Sequence, residues 1–317
     1  MSPPLFVLGV SRSGTTLLRV ILDRSPGIAI PDESFFVPLL ARRHRGTVDP
    51  KAFLDDLSRL STLRSWGVSV ADVAPRLRSG MRAGEAIAAI FEAYAARAGK
   101  PRWGDKTPMY MRHLPLLEHL FPNVLYVHLI RDGRDAALSF VQMPEGTFTR
   151  TWAHPGNVAE FACLWRKEVG AARALGRQIG PDRYLEVRYE DLVATPPQVV
   201  ESICDFANLP FDSGMIEYAG SVDVSEKPHQ QRLRQPPTAG FRSWRDEMSP
   251  VEARAFEAVA GDLLGELGYP LLEPSSRPPR VRAQTAIGWY AARLAAWNAT
   301  ASGLQRSPLW RRRHPRL

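Results

Sequence analysis

The segment from residue 5 to residue 28, LFVLGVSRSGTTLLRVILDRSPGI, constrains the fold more than any other part of the chain. It joins an apolar strand to a helix through a loop framed by Gly9 and Gly14. A strand, a glycine loop and a helix in this order present backbone N–H groups to an anion. The nucleotide-binding pattern G-x-x-x-x-G-K-[ST] has a lysine where this chain has Thr15. The loop therefore predicts a phosphate-like ligand but does not favour kinase chemistry.

Strand and helix patterns alternate after this loop. Residues 124–130, VLYVHLI, are continuously apolar apart from His128, as expected of a central parallel strand, and His128 is interpreted as a core residue. Shorter strands are predicted at residues 102–105 and 183–187. Helices are predicted at residues 14–24, 84–98, 111–121, 158–178, 197–208 and 250–268, with one capped by Asp32 or Ser34 and another opened by Asp49. This order predicts an α/β fold: a single P-loop-type domain, residues 1–274, whose central parallel sheet is flanked by helices.

The C-terminal residues 275–317 differ in character from the rest of the chain. The stretch EPSSRPPR, residues 273–280, has the composition of a linker, and residues 283–304 can form one more helix before a basic tail. We expect this helical extension to pack back on the domain. A basic, tryptophan-bearing helix on a membrane surface is the alternative.

The balance of charges limits the classes of partner. The chain has 41 Lys and Arg against 33 Asp and Glu, a formal charge of +8, so it should favour anions: a nucleotide, a nucleic acid or an anionic membrane. Because much of the excess lies in the terminal WRRRHPR, a solvated terminus is the simpler interpretation, and no nucleic-acid partner is expected. The two cysteines, Cys163 and Cys204, fit neither a disulfide framework nor a metal site, so no metal is expected.

The sequence also carries expectations about location and assembly. The N-terminus lacks the basic region of a signal peptide, and no stretch of about 18 residues is apolar enough to span a membrane. We expect a cytoplasmic enzyme and leave open a peripheral contact of the tail with the inner membrane face. A homodimer is left open too.

Two groups of residues can each hold an anion. In the glycine loop, Ser13, Thr15 and Thr16 add hydroxyl donors, and Arg12 adds a guanidinium, a positive charge with forked N–H donors. At the carboxyl end of the predicted central strand, where α/β folds bind ligands, Arg131 is followed two helical turns later by Ser139. Taken singly, either group could be an ordinary turn or surface ion pair. Together they predict a ligand with phosphates at two ends.

At this point the sequence resembles a known family. SRSGTTLL is similar to the 5′-phosphosulfate loop of sulfotransferases, and LIRDGRDAALSF is similar to their 3′-phosphate motif. The pattern is most similar to that of tyrosylprotein sulfotransferases and covers roughly residues 5–270. The resemblance implies a sulfotransferase that uses 3′-phosphoadenosine 5′-phosphosulfate, with the product 3′-phosphoadenosine 5′-phosphate and no metal.

The same resemblance implies roles for individual residues. Those expected to hold the 5′-phosphosulfate are Arg12, Ser13, Gly14, Thr15 and Thr16. Arg131 and Ser139 are expected to hold the 3′-phosphate, and Tyr189 in VRYEDL to position the nucleotide. Ser225 and Arg234, before FRSW, are expected to add further cofactor contacts. One departure is Leu17, which stands where cytosolic members stack a tryptophan on adenine.

The resemblance also suggests which groups carry out the reaction. Cytosolic sulfotransferases place a catalytic histidine after a Lys-Thr pair, but here Pro108 follows Lys106 and Thr107. Glu33, in IAIPDESFF, stands where tyrosylprotein sulfotransferases have their catalytic glutamate, and is predicted to be the base; Asp32 is the alternate. From the residues alone, the favoured interpretation of Glu33 is an N-cap or first-turn helix acid, since Ser34 and Phe35 begin an apolar run. Lys106 and Arg12 are predicted to complete the catalytic set.

The predicted function is transfer of a sulfuryl group to a hydroxyl of a carbohydrate, lipid, natural product or tyrosine. The alternatives are a P-loop kinase acting on a small molecule and a non-enzymatic protein that binds a nucleotide or an anionic surface. The sequence does not identify the acceptor, because the segments expected to form its pocket, residues 35–100 and 140–180, carry no diagnostic motif.

Overall fold

The structure is a computed structural model of the 317-residue chain. It describes residues 2–143, 154–218 and 243–272, and in the tail residues 285, 288–296 and 299–300. Ser225 and Arg234, predicted as cofactor contacts, lie outside the described residues.

The described part of the chain contains a sheet of four parallel strands. They are β1 (Leu5–Leu8), β2 (Gly104–Asp105), β3 (Leu125–Ile130) and β4 (Tyr184–Arg188), in the order β2-β1-β3-β4. Every residue of β1 and β3 is buried, which explains why both read as continuous apolar runs. His128 is fully buried in β3, and its Nδ1 lies 2.6 Å from the Tyr184 hydroxyl. The predicted α/β fold with a parallel central sheet is confirmed.

Helices cover both faces of this sheet. In chain order they are α1 (Thr15–Asp23), α2 (Val37–Arg43), α3 (Pro50–Leu57), α4 (Ser61–Ser65), α5 (Val70–Val73), α6 (Ala83–Arg97), α7 (Leu114–Leu120), α8 (Gly133–Val141), α9 (Val158–Ile179), α10 (Tyr189–Ala194), α11 (Pro196–Ala207), α12 (Trp244–Glu247) and α13 (Pro250–Glu266). Phe6 and Leu8 of β1 face the larger core, formed mainly with α6, α8, α9 and α13. Leu5 and Val7 face the smaller core with α1 and α11. The alternation along one strand thus separates two apolar layers.

One predicted helix begins later than expected. Neither Asp32 nor Ser34 caps it: α2 begins at Val37 with Phe36 at the capping position, and residues 31–36 form a loop. The Phe36 side chain has no hydrogen-bond acceptor for the N–H groups of the first turn, so those groups need a partner from elsewhere. The prediction for Asp49 is confirmed, since its carboxylate accepts a hydrogen bond from the Ala52 N–H and caps α3.

The described part of the tail packs against the body. In residues 288–296, which are helical, Tyr290 and Leu294 are buried. Arg293 donates to both carboxylate oxygens of Glu160 on α9, at 2.9 and 2.7 Å. These contacts agree with an extension that returns to the domain. The boundary at residue 274 stays a prediction.

Candidate active site

The glycine loop joins β1 to α1, and both of its framing glycines lie where no side chain fits. A Cβ on Gly9 would lie 2.6 Å from Thr15 Cγ2 and 2.8 Å from the Leu129 carbonyl oxygen. Gly14 has a φ of 89°, and its Cβ would lie 2.4 Å from the Tyr189 ring. The left-handed conformation and the close ring both require glycine. The loop is therefore pressed against the neighbouring strand end.

The loop offers unsatisfied donors to an anion. The first N–H groups of α1 have no partner within the helix, and no acidic side chain lies in its first turn. Ser13 is 1% exposed, and its hydroxyl has no hydrogen-bond partner among the described residues. Because buried hydroxyls are normally paired, this orphan fits an anion held in the loop. These groups fit the predicted 5′-phosphosulfate.

The second predicted anion site lies directly beside the first. Arg131 follows β3, the neighbour of β1; its NH1 donates to the Arg12 carbonyl oxygen at 3.2 Å, and its guanidinium lies 4.6 Å from the centre of the Tyr189 ring. Arg131 Nε is buried and finds no acceptor in the part of the chain that the structure describes. Arg12 Nε donates to the Ser139 hydroxyl on α8 at 3.0 Å. The structure thus brings Arg12, Arg131, Ser139 and Tyr189 together.

Glu33 and Lys106 meet at the other side of the loop. Lys106, directly after β2, is 1% exposed, and its Nζ lies 2.5 Å from Glu33 Oε1 and 3.3 Å from Thr16 Oγ1. Burial lowers the pKa of Lys106, and the Glu33 carboxylate opposes that shift. The Glu33 side chain keeps 29% of its surface exposed, so an incoming hydroxyl can reach it. An acid, an ammonium and a loop hydroxyl form one cluster.

The interpretation of Glu33 as a first-turn helix acid is wrong. Glu33 lies in the loop before α2, four residues from the first helical residue. Asp32, the alternate base, forms an ion pair with Arg19, with 3.3 Å between Arg19 NH2 and Asp32 Oδ1. The geometry therefore favours Glu33 over Asp32 as the group that contacts Lys106.

Asp105 is a buried carboxyl group next to this cluster. It is fully buried, and neither oxygen receives a hydrogen bond of regular geometry within the described ranges. Burial raises the pKa of Asp105 to about 7, although the nearby Ser34 and Thr107 hydroxyls and the Lys106 ammonium act to lower it. A carboxyl group with a raised pKa destabilises the fold once it is ionised.

We expect the substitution Asp105→Asn to stabilise the protein at pH 8. Between about pH 4 and pH 7 the unfolded chain loses this proton while the folded protein keeps it, so stability falls as pH rises through that window. Asparagine imitates the neutral acid, so Tm should rise at pH 8 and change little at pH 4. Thermal melts across this range test it, with the exposed Asp55→Asn as control. An unchanged slope of Tm against pH would contradict the assignment.

Sequence reasoning missed three buried hydroxyl residues beneath the cluster. Ser34, Thr107 and Tyr110 are each at most 2% exposed. Ser34 directly follows Glu33, and Thr107 directly follows Lys106, which is the signal that could have singled them out.

Comparison with known proteins decides the family. The sequence model of the sulfotransferase family matches residues 3–213, about two thirds of the chain. The chain belongs to the sulfotransferase family. The predicted family and enzyme class are thereby confirmed.

Individual relatives and solved structures similar to this sulfotransferase agree with the family assignment. Protein-tyrosine sulfotransferase A of Caenorhabditis elegans is 26% identical over 285 residues, and nodulation protein NoeE of Sinorhizobium fredii is 30% identical over 298 residues. The alignments cover 88% and 83% of this chain but 69% and 65% of those proteins, and only 53% of the Drosophila melanogaster protein-tyrosine sulfotransferase. The sulfotransferase domain of the Synechococcus PCC 7002 olefin synthase shares the fold, with TM-score 0.54, 24% identity and coverage of 92% and 96% of the two chains.

The described residues show neither a metal-ligand cluster nor a membrane-spanning helix. Among them, no group of three or more His, Cys, Asp or Glu residues has the arrangement of a metal site. None of the helices that the structure describes has the length and apolarity needed to cross a membrane.

Proposed function

We propose that this sulfotransferase moves the sulfuryl group of 3′-phosphoadenosine 5′-phosphosulfate to an acceptor hydroxyl by in-line displacement. The single observation that carries the proposal is that the Glu33–Lys106–Thr16 cluster adjoins a loop that is itself bound to Arg131. An acid and a cation therefore stand beside one end of a two-ended anion site. That is the arrangement that group transfer from a phosphate-linked donor requires.

The donor supplies an activated sulfuryl group, and the chain supplies its position. We assign its 5′ end to the N-terminus of α1 and to Ser13, Thr15 and Thr16. Its 3′-phosphate is assigned to Arg131 and Ser139, with the Tyr189 ring between the two ends. The unpaired Ser13 hydroxyl and Arg131 Nε support these roles. Ser225 and Arg234 stay proposals for further contacts.

Glu33 acts as the base in this proposal. It accepts the proton of the acceptor hydroxyl while the hydroxyl oxygen forms its bond to sulfur and the bond from sulfur to the 5′-phosphate oxygen breaks. Lys106 compensates the negative charge that develops on the leaving oxygen. Arg12, whose Nε donates to Ser139, is proposed to assist at that end through the rest of its guanidinium.

The acceptor is proposed as a class. The names of the relatives include protein-tyrosine sulfotransferases, which suggests a phenolic hydroxyl, while a carbohydrate, lipid or natural-product alcohol suits the same cluster. A cytoplasmic location, a homodimer and a peripheral membrane contact of the tail stay proposals.

Titration of the purified protein with 3′-phosphoadenosine 5′-phosphate and with ATP tests the cofactor assignment. We expect the bisphosphate to bind at least tenfold more tightly, about 1.4 kcal/mol, because the protein offers donors to both of its ends. Isothermal calorimetry without magnesium measures both affinities, and ATP with magnesium is the control. Tighter binding of magnesium-ATP, with turnover, would instead indicate a P-loop kinase.

A further inference from the structure

The hydroxyls of Ser34, Thr107 and Tyr110 form a continuous buried chain under the catalytic cluster. Ser34 Oγ lies 2.7 Å from the Tyr110 hydroxyl and 3.3 Å from Thr107 Oγ1. Two backbone groups of the Glu33 loop also end on this chain: the Ser34 N–H donates to Thr107 Oγ1 at 3.0 Å, and the Val37 N–H donates to the Tyr110 hydroxyl at 3.1 Å.

One arrangement of protons gives the Tyr110 and Ser34 hydroxyls an acceptor each. The Tyr110 oxygen accepts from Val37 and its proton goes to Ser34, whose own proton goes to Thr107. The Thr107 hydroxyl keeps its own proton close to the Asp105 carboxyl group, whose oxygens receive no hydrogen bond of regular geometry among the described residues. Burial raises the pKa of Tyr110 well above its usual value, so its hydroxyl keeps the proton that this arrangement needs. The hydroxyl chain is therefore continuous from the Val37 N–H through Tyr110 and Ser34 to Thr107.

The hydroxyl chain also stabilises a strained turn. Phe35 has a φ of 54°, which is unfavourable for a bulky residue, and the Phe36 N–H donates to the Ser34 carbonyl oxygen at 2.6 Å across it. A three-residue turn with positive φ at its centre is the rare, strained form. Phe35 is half exposed, so its own packing does little to hold it there. The bonds on either side of Phe35, at Ser34 and Val37, must do so.

The positions of the three hydroxyl residues in the sequence link them to catalysis. Glu33 immediately precedes Ser34, and Lys106 immediately precedes Thr107, so the bond between the two hydroxyl residues fixes the two catalytic segments relative to each other. Tyr110 adds a second attachment through the first turn of α2, which Phe36 cannot cap.

We propose that Ser34, Thr107 and Tyr110 are positioning residues that set the Glu33 carboxylate against Lys106 in the geometry that accepts the acceptor's proton. The inference rests on the proposed function, in which Glu33 is the base. None of the three side chains touches the reacting atoms. Their effect passes through the backbone of residues 33–37.

The test is Tyr110→Phe, which removes one oxygen and keeps the ring that fills the core. We expect kcat for sulfuryl transfer to 2-naphthol or to a tyrosine-containing peptide to fall about tenfold to a hundredfold, as small displacements of reacting groups do. KM for the donor and the Kd of the bisphosphate should stay within about twofold, since none of the residues assigned to the nucleotide lies within residues 33–37. Hydrogen exchange of the peptide covering residues 33–40 should accelerate.

A matched control is Tyr290→Phe, which removes a buried hydroxyl that has no partner in the described parts of the chain. It should leave kcat and the exchange of residues 33–40 unchanged. If Tyr110→Phe does not fold, Ser34→Ala breaks the same chain at its centre and replaces it in every measurement. An unchanged kcat in spite of faster exchange, or unchanged exchange, would overturn the proposal.

A double substitution separates this inference from the assignment of the base. In the Glu33→Gln background the base is already absent, so Tyr110→Phe should have little further effect on kcat. Additive losses in the double variant would show that the chain acts other than through Glu33. If Glu33→Gln alone keeps full turnover, the base assignment fails, and that result does not depend on Tyr110.

Discussion

The substitution Glu33→Gln is expected to lower kcat for sulfuryl transfer by about 10²- to 10⁴-fold, the contribution typical of a general base. Glutamine keeps the shape of the side chain and an oxygen that can accept from Lys106, now 2.5 Å from Glu33 Oε1, but it cannot take the acceptor's proton. Binding of the bisphosphate product should change less than threefold, because Glu33 makes no described contact with the residues of the anion site other than through Lys106. Release of the bisphosphate, measured with saturating donor and 2-naphthol, reports the rate.

Asp32→Asn is the matched control for this prediction. Asp32 is the adjacent carboxylate and was the alternate base, but it pairs with Arg19. Its loss should cost less than tenfold in kcat, because an ion pair at this half-exposed carboxylate contributes little. A larger loss for Asp32→Asn than for Glu33→Gln would transfer the role of the base to Asp32. Full activity of both variants would remove the base from this loop.

The substitution Arg131→Ala is expected to weaken binding of 3′-phosphoadenosine 5′-phosphate by about 10²-fold or more. A guanidinium that donates to a phosphate contributes about 1.5–3 kcal/mol for each charge-assisted bond, and Arg131 has a buried Nε ready to donate. Alanine also removes the bond to the Arg12 carbonyl, which holds Arg12 at a φ of 74°. Calorimetric titration measures the loss.

Adenosine 5′-phosphate, which lacks the 3′-phosphate, is the control ligand for Arg131→Ala. Its affinity should fall by less than tenfold, since only the indirect support of the loop is lost. Ser139→Ala should weaken the bisphosphate by a smaller factor, because a neutral hydroxyl contributes about 1 kcal/mol. Equal losses for both ligands would mean that Arg131 acts only by shaping the glycine loop. No loss for either would remove it from the site.

The parts of the fold that could be predicted are those in which neighbouring residues determine the outcome. Strand β3 was recognisable because a strand buried on both faces has to be apolar throughout, and the glycine loop because its backbone conformation excludes side chains. The start of α2 could not be predicted in this way. Asp32 and Ser34 are good capping residues, but Ser34 forms hydrogen bonds with Thr107 and Tyr110, more than 70 positions away, and caps no helix.

The candidate site also contains a part that was predictable from the sequence and a part that was not. Arg12, Arg131 and Ser139 lie in motifs, so the sequence alone predicts two anion sites from their types and order. The direct bond between Arg12 and Ser139 was not predictable, because it spans 127 positions and depends on β1 and β3 being neighbours. The hydroxyl chain left one sequence signal, that Ser34 and Thr107 each follow a predicted catalytic residue, but serine and threonine are common and their contacts are set by packing.

The Tyr189 ring, which lies against Gly14 and under the Arg131 guanidinium, has a consequence for how ligands are told apart. In the proposed function, this rigid ring touches both assigned anion sites and so sets the distance between them. A molecule that carries its charges at one end, however many it has, can satisfy only half of such a site. In the proposed function, we therefore expect the protein to select its nucleotide by the separation of two charges rather than by a large total charge.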